Sequence, residues 1–317
     1  MFGGGVIRCY RAATSMSQAV VISKRDAEVL SLLEMTPATA AHLQQASVTF
    51  VGEPFRDERR VRERMQALGA AGFVQDFLPA AVAGGGLRHY YRLTAAGFRM
   101  LHPDAERPPG RMVVAEIAPS RLQHALATAD VIVHTLVACH AAHVRILNYH
   151  GDGQLTLEIG EYRQQPDCHF LFGYGGRNFN VLFEIDNATE PLDSLREQSI
   201  RTKLLGYETY QDWVLRCWRE RGRLEPRPGF RVVFLTRGVQ RANHMLWLAR
   251  QCARNPDRHL VYAATQDAYL GHPLAVTEPL LNDHHGEWRA LCDLHPSSRF
   301  LREPLRLVPP LAGTSVF

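Results

Sequence analysis

The 317-residue sequence predicts an α/β protein built in two folded parts. Residues 20–102 run through three helical patterns and then two short aromatic, β-branched pieces. Residues 103–111 concentrate Pro103, Pro108, Pro109 and Gly110, the composition of a linker. Residues 112–317 open with a helix, three strands and two further helix-strand repeats, the order of a mixed sheet covered by helices. A hydrophobic content of 46% is enough for each part to bury a core.

Composition narrows the function classes. The six cysteines form no CxxC pair, which argues against a zinc ribbon or a disulfide framework and fits a reducing, cytoplasmic setting. The longest apolar stretches are broken by charges or His, so a soluble protein with no membrane partner is expected. Residues 1–19 carry Arg8 and Arg11 without the apolar core of a secretory signal and read as a disordered leader, with Met16 as an alternative start. A net charge of +4 permits an anionic partner without demanding one. Of the 36 basic residues only Lys24 and Lys203 are lysines, so chemistry that needs an amine has two places to find it. No GxxxxGK[ST] loop and no GxGxxG after a strand appears, which leaves ATP-driven and dinucleotide chemistry unsupported.

In the first part, Ser23 is an available cap for a helix over 24–35, and Thr36 with Pro37 opens a second, short helix. In "EPFRDERRVRERMQALGAAGF", Val61, Met65 and Leu68 share one face; Arg56, Arg59 and Arg60 lie opposite, and Arg62 and Arg64 flank it. Gly69 and Gly72 supply the exit. The pieces "FVQDFLPA" and "HYYRL", joined by "AVAGGGL", form a hairpin, and Thr94 caps a last short helix. Three helices followed by a hairpin is the winged helix-turn-helix pattern. In that pattern the third helix enters the major groove, so double-stranded DNA is the expected partner of Arg56, Arg59, Arg60, Arg62, Arg64, Arg88 and His89. Glu53, Asp57, Glu58 and Glu63 are interleaved with these arginines, which equally describes a solvated helix laced with ion pairs.

The second part begins with "APSRLQHALATADVIVHTLVACHAAH", a long helix capped by Ser120. The strand candidates "GQLTLEIGEY", "CHFLFGY" and "NVLFEI" follow as a meander, with "GYGGRN" turning the last two. A helix through "EPLDSLREQSIRTKLLGYETYQDWVLRCW", the strand "FRVVFLT", the helix "NHMLWLARQCA" and the strand "HLVYAAT" complete the pattern, and the chain beyond residue 267 is hard to read.

Asp167 stands at the start of one strand, and Glu184 and Asp186 stand at the end of the next. An antiparallel hairpin brings those ends together, and period-two alternation puts Glu184 and Asp186 on one side, so three carboxylates converge at one sheet edge. Mg²⁺ prefers carboxylate oxygens, and in phosphodiester hydrolysis it activates water and neutralises phosphate charge; Asp167, Glu184 and Asp186 are the expected ligands. Lys203, a turn into the following helix, is placed to reach the site, with Gln198 and Arg201 as alternatives and an exposed pair with Glu197 or Glu208 as the duller reading. Glu190, before Pro191, reads as a helix-start acid and at most as a supporting contact behind the site's ligands. Glu161 and His124 are weaker candidates, and the "CHAAH" spacing of Cys139, His140 and His143 lacks a second ligand pair for zinc.

The αβββαβ order, with "PD" before one strand and an acid near the end of the next, looks like the PD-(D/E)XK nuclease superfamily, the restriction-endonuclease-like fold. Taken with "HYYRLTAAGFRML", "LQHALATADV", "PDCHFLF", "VLFEIDNATEPLDSL" and "KLLGYETY", the chain is similar to the replication-relaxation family of bacterial and plasmid proteins over roughly residues 25–265. The resemblance implies a DNA-binding protein of plasmid replication, relaxation or transfer with a nuclease-like domain, in which Asp167, Glu184, Asp186 and Lys203 would be the catalytic set. It also implies replication or relaxase proteins as partners. One departure is specific: Asp186 in "EID" stands where the superfamily's "ExK" has lysine. Two other readings follow, a noncatalytic protein that recruits such partners and a winged-helix transcription regulator.

Overall fold

The computed structural model describes residues 21–78, 89–106, 108–188, 190–193, 199–222 and 229–294. The chain is α/β, and its contacts divide it into two compact units between Ala129 and Asp130.

In the first unit, α1 (Lys24–Met35) starts at a reciprocal cap in which the Asp26 amide donates to Ser23 Oγ at 3.2 Å and the Ser23 amide to Asp26 Oδ2 at 2.7 Å. Thr36 closes α1 instead of opening the next helix: Ala38–Thr39 is a short strand, β1, and Thr39 caps α2 (Ala40–Ala46). Pro37 therefore precedes a strand, because its neighbours pair with the hairpin behind them. Helix α3 (Glu58–Ala70) is capped by Asp57 and buries Val61, Met65 and Leu68, the face that the sequence periodicity marks. Gly69 lies inside α3, and the left-handed exit falls to Gly72, φ +78°. Strands β2 (Val74–Phe77) and β3 (Tyr90–Leu93) pair antiparallel, and β1 adds to β3, giving the order β1-β3-β2. Thr94 caps α4 (Ala95–Leu101), where a Cβ on Gly97 would sit 2.2 Å from the Phe73 carbonyl oxygen. The stretch read as a linker leads into α5 (Arg111–Val114), and the carbonyls of Val113 and Ala115 accept from the Arg92 guanidinium at 3.2 and 2.6 Å, so the first unit extends beyond residue 111.

Helix α6 (Pro119–Ala141) crosses the division; Pro119 takes its first position, one residue ahead of the expected cap. It is long and apolar enough to span a bilayer by length and hydropathy, a property the reading of broken apolar stretches overlooked. More than half of that apolar window, 56%, is buried within the protein, with Val131, Ile132, Val133 and Ala138 in the core.

The second unit is a seven-stranded mixed sheet in the order β12-β11-β10-β9-β8-β7-β4. Strand β4 (Arg145–His150) takes the place in the sheet that the sequence assigns to "GQLTLEIGEY". That segment folds on itself as the separate hairpin β5 (Leu157–Ile159) and β6 (Tyr162–Gln164). Strands β7 (Cys168–Tyr174) and β8 (Arg177–Asp186) are the expected hairpin, and β9 (Arg231–Thr236) joins β8 in parallel. Between them α7 (Ile200–Glu220) begins at its cap Ser199, later than the apolar spacing from Leu192 suggests. Helix α8 (Val239–Cys252) leads to β10 (Val261–Thr265), parallel to β9. The stretch that resisted reading forms α9 (Gln266–Leu270), β11 (Leu281–Asp283) and β12 (Trp288–Arg289), which close the sheet antiparallel.

Alternation along the strands sorts this core. Leu182, Val232, Phe234, Val261 and Ala263 pack against Leu204 and Tyr207 of α7 and Met245 and Leu248 of α8. On the other face Phe183 meets Phe170 and Tyr269, whose hydroxyl is hydrogen-bonded to Thr135 of α6. The cysteines of the described residues are free thiols, and burial pushes Cys139 and Cys168 well above the usual range.

Candidate active site at the end of strand β8

Strand β8 lies inside the sheet, so its acids gather at the carboxyl ends of the parallel strands rather than at a sheet edge. That position is where open α/β sheets commonly bind ligands. The "PD" turn closes on it directly: the Asp167 amide donates to the Phe183 carbonyl at 3.0 Å, and the Ile185 amide donates to Asp167 Oδ2 at 2.6 Å. Asp167 is thereby held beside the last turn of pleat that carries Glu184.

Glu184 is 2% exposed and faces α7. Lys203 Nζ donates to its Oε2 at 2.8 Å, and the Tyr207 hydroxyl donates a short hydrogen bond to its Oε1. Lys203 also contacts Glu190 Oε1 at 3.0 Å. Burial pushes the Glu184 carboxyl up to about 7; the Lys203 ammonium opposes this rise, and Asp167 adds to it. Burial disfavours the charge on Lys203 too, but the surrounding Glu184, Glu190 and Asp167 outweigh it and keep the ammonium charged.

Asp186 shares the pleat face with Glu184 but answers to a different helix. Both of its oxygens accept from the Arg241 guanidinium of α8, the Nη2 contact to Oδ1 measuring 2.8 Å. The same Nη2 donates to the Glu190 carbonyl at 2.7 Å, and Oδ1 also accepts from the Ala188 amide at 3.2 Å. The expected convergence of three carboxylates is therefore divided: Asp167 is held beside Glu184, which Lys203 takes, whereas Asp186 turns to Arg241.

Several expectations change at this point. Lys203 is not an exposed helix residue paired with Glu208, because Arg258 takes Glu208 at 2.6 Å. Arg201 pairs with Asp193 at 2.5 Å instead of reaching the acids, and Gln198 and Glu197 lie outside the described residues. Glu190 is no helix-start acid, since α7 begins ten residues later and its carboxylate touches Lys203. Glu161 is exposed at the tip of the β5–β6 hairpin, and His124 belongs to the first unit.

Tyr207, Arg241 and Glu190 are contacts that sequence reasoning missed. Tyr207 had a usable signal, standing four residues after Lys203 on the same helical face. Arg241 had none, being 55 residues from its partner. Gly206, between Lys203 and Tyr207, has a reason to be glycine: a Cβ there would lie 2.2 Å from Nε2 of the buried Gln164.

In the first unit, Arg59 and Arg60 pair with Glu63 at 2.8 and 2.9 Å, and Arg62 pairs with Glu58 at 2.7 Å, all exposed. Arg64 differs, its Nε donating to the buried Asp26 at 2.6 Å, which makes it a brace between α3 and α1. His89 Nδ1 lies 3.0 Å from Asp76 across the hairpin; Arg88 and the whole joining segment 81–87 fall outside the described residues. A depression of about 410 Å³ is lined by Arg25, Arg56, Arg60 and Arg64 with Glu53 and Glu63, and Arg25 stacks over Phe55 at 4.4 Å.

No curated protein and no solved structure matches the chain. The family model described as Replication-relaxation matches residues 30–225, more than half of the sequence, from within α1 past the end of α7. That span holds Asp167, Glu184, Lys203 and Tyr207 and ends before Arg241. This chain belongs to the replication-relaxation family.

Proposed function

We propose that the protein is a cytoplasmic DNA-binding component of plasmid or mobile-element replication, relaxation or transfer. In this reading its second unit is a PD-(D/E)XK-type, metal-dependent DNA endonuclease, and its first unit is a winged helix that engages duplex DNA. The observation that carries the nuclease reading is the 2.8 Å contact between Lys203 Nζ and Glu184 Oε2, beside Asp167. A lysine from α7 supplies the charge that the strand, with Asp186 at the "ExK" position, lacks.

The residues fit a hard cation. Asp167 and Glu184 offer carboxylate oxygens, and a buried carboxyl pushed up to about 7 is relieved by a positive charge next to it. Bound there, Mg²⁺ would activate water and neutralise phosphate charge. Lys203, held cationic, stabilises the attacked phosphate; Tyr207 fixes the Glu184 rotamer; Arg241 fixes Asp186 and the backbone at Glu190, which takes Asp186 out of the ligand set.

Exposed arginines on and before α3 would meet DNA phosphates, with Arg56 and Arg60 as the positioning contacts. A second reading, a noncatalytic protein that recruits a replication or relaxase partner, rests on one observation: Glu184 and Asp186 are both satisfied by protein groups alone.

Supercoiled-plasmid nicking separates the two readings. With Mg²⁺ or Mn²⁺, the wild type is expected to nick, and Asp167→Ala and Glu184→Ala are expected to bind DNA equally well without nicking. A wild type that binds but never nicks removes the nuclease reading and leaves the recruiting one.

A further inference from the structure

A second cluster of metal-ligating residues lies far along the sheet from β8, at the turn between β11 and β12. Asp283 ends β11 and is 2% exposed. Its Oδ1 accepts from the His285 and Glu287 amides, both at 2.9 Å, so the turn "DHHGE" is wound around this carboxylate. Its Oδ2 is left facing His259, just ahead of β10, with Nδ1 at 2.5 Å. Glu287 returns to the same place at the start of the descending arm, its amide and carbonyl both bonded to Asp283.

His259, Asp283 and Glu287 thus each present a ligand atom, all within 4.8 Å of one another. Two further imidazoles crowd the group: the His285 ring centroid is 4.3 Å from that of His259 and 4.1 Å from that of His284. Both ring nitrogens of His284 are shielded from solvent and have no hydrogen-bond partner among the described residues. A structural hydrogen bond between His259 and Asp283 explains that one contact. It does not explain why three imidazoles and two carboxylates are assembled over one turn.

We propose that His259, Asp283 and Glu287 form a site for a divalent transition-metal ion of the zinc class, with His285 as the candidate for the fourth position. One imidazole nitrogen with two carboxylate oxygens is a borderline donor set, suited to zinc and its neighbours rather than to Mg²⁺. Metal bonds of about 2.0–2.2 Å in a tetrahedron set ligand atoms roughly 3.4 Å apart. The His259–Asp283 contact must open by a little under an ångström, and the exposed Glu287 must swing in, releasing Arg289, which now holds its Oε2 at 2.7 Å. The ion would pin the β11–β12 turn to the strand beside it.

The test is equilibrium dialysis of the full chain, stripped with chelator, against Zn²⁺ in the presence of excess Mg²⁺. One zinc per chain is expected. His259→Ala and Glu287→Gln should each weaken binding at least tenfold, and Asp167→Asn should leave it unchanged, which keeps this site separate from the β8 acids. Glu287 is exposed, so its variant tests the ligand without threatening the fold. Absence of saturable zinc, binding indifferent to both ligand variants, or zinc lost in Asp167→Asn would each overturn the assignment.

Discussion

Helix α3 and strand β8 both carry acids matched to bases, yet the two sets of pairs do different work. On α3 the side chains of Arg59 and Glu63 are 65% and 46% exposed, whereas at the end of β8 those of Lys203 and Glu184 are 22% and 3% exposed. Exposed pairs contribute little to stability, are screened by salt and exchange one partner for another cheaply, so these arginines can release glutamate at small cost. Buried pairs are expensive to break because the survivor is stranded away from water, which suits groups that must hold one geometry. The same residue types thus make a yielding surface in one unit and a fixed constellation in the other.

Arg241→Ala puts this contrast under the heaviest load. It strands Asp186, whose side chain is 3% exposed, and is expected to cost about 3–5 kcal/mol in denaturant unfolding, with much of the loss recovered when Asp186→Asn is added. A loss below about 1 kcal/mol would place the β8 pairs in the same class as those on α3.

Arg64→Ala tests the contrast within α3 itself. Arg64 is bound to Asp26, whose side chain is 1% exposed, so the variant should lose about 3 kcal/mol of stability while Arg62→Ala, in the exposed ladder of the same helix, loses almost none.

A pH series probes the buried set by titration. With Glu184 at about 7 in the fold and 4.5 ordinarily, the native state holds its proton more tightly than the unfolded chain, so stability falls as pH rises from about 4.5 to about 7. Glu184→Gln should remove that fall, and its stability relative to wild type should improve by up to about 2–3 kcal/mol between pH 4.5 and pH 8. An unchanged difference across that window would mean that Glu184 titrates as an ordinary exposed acid.

The exposed arginines should matter least to the fold. Arg59→Ala and Arg60→Ala should each alter stability by no more than about 0.5 kcal/mol. Each should lower the salt-dependence slope of DNA binding by about one for every phosphate that the arginine neutralises. A slope unchanged in both would leave α3 as a solvated face only.

The α/β class was legible because the runs in β8 and β9 are apolar and because Ser23 and Thr94 stand at helix caps. Strand β4 was missed because its residues are exposed or half-buried throughout, which gives no apolar alternation to read. The reverse error befell "GQLTLEIGEY", whose alternation is real but serves a hairpin lying on α7 with Leu157 in the core. Strands β11 and β12, three and two residues long, are too short for periodicity to mark. At the site, Asp167 and Glu184 were legible from strand-end spacing and Lys203 from the scarcity of lysine. Arg241 and the contact of Glu190 were not, because only tertiary folding brings Arg241 of α8 to Asp186 and Glu190 to Lys203.

If Lys203 does the work of the lysine missing from β8, its removal must show in plasmid nicking by Lys203→Ala measured at matched DNA occupancy. DNA retention equal to wild type with nicking reduced at least about a hundredfold is the predicted result, the scale of losing a charged group aimed at transition-state charge. Nicking at the wild-type rate by the same variant would contradict it.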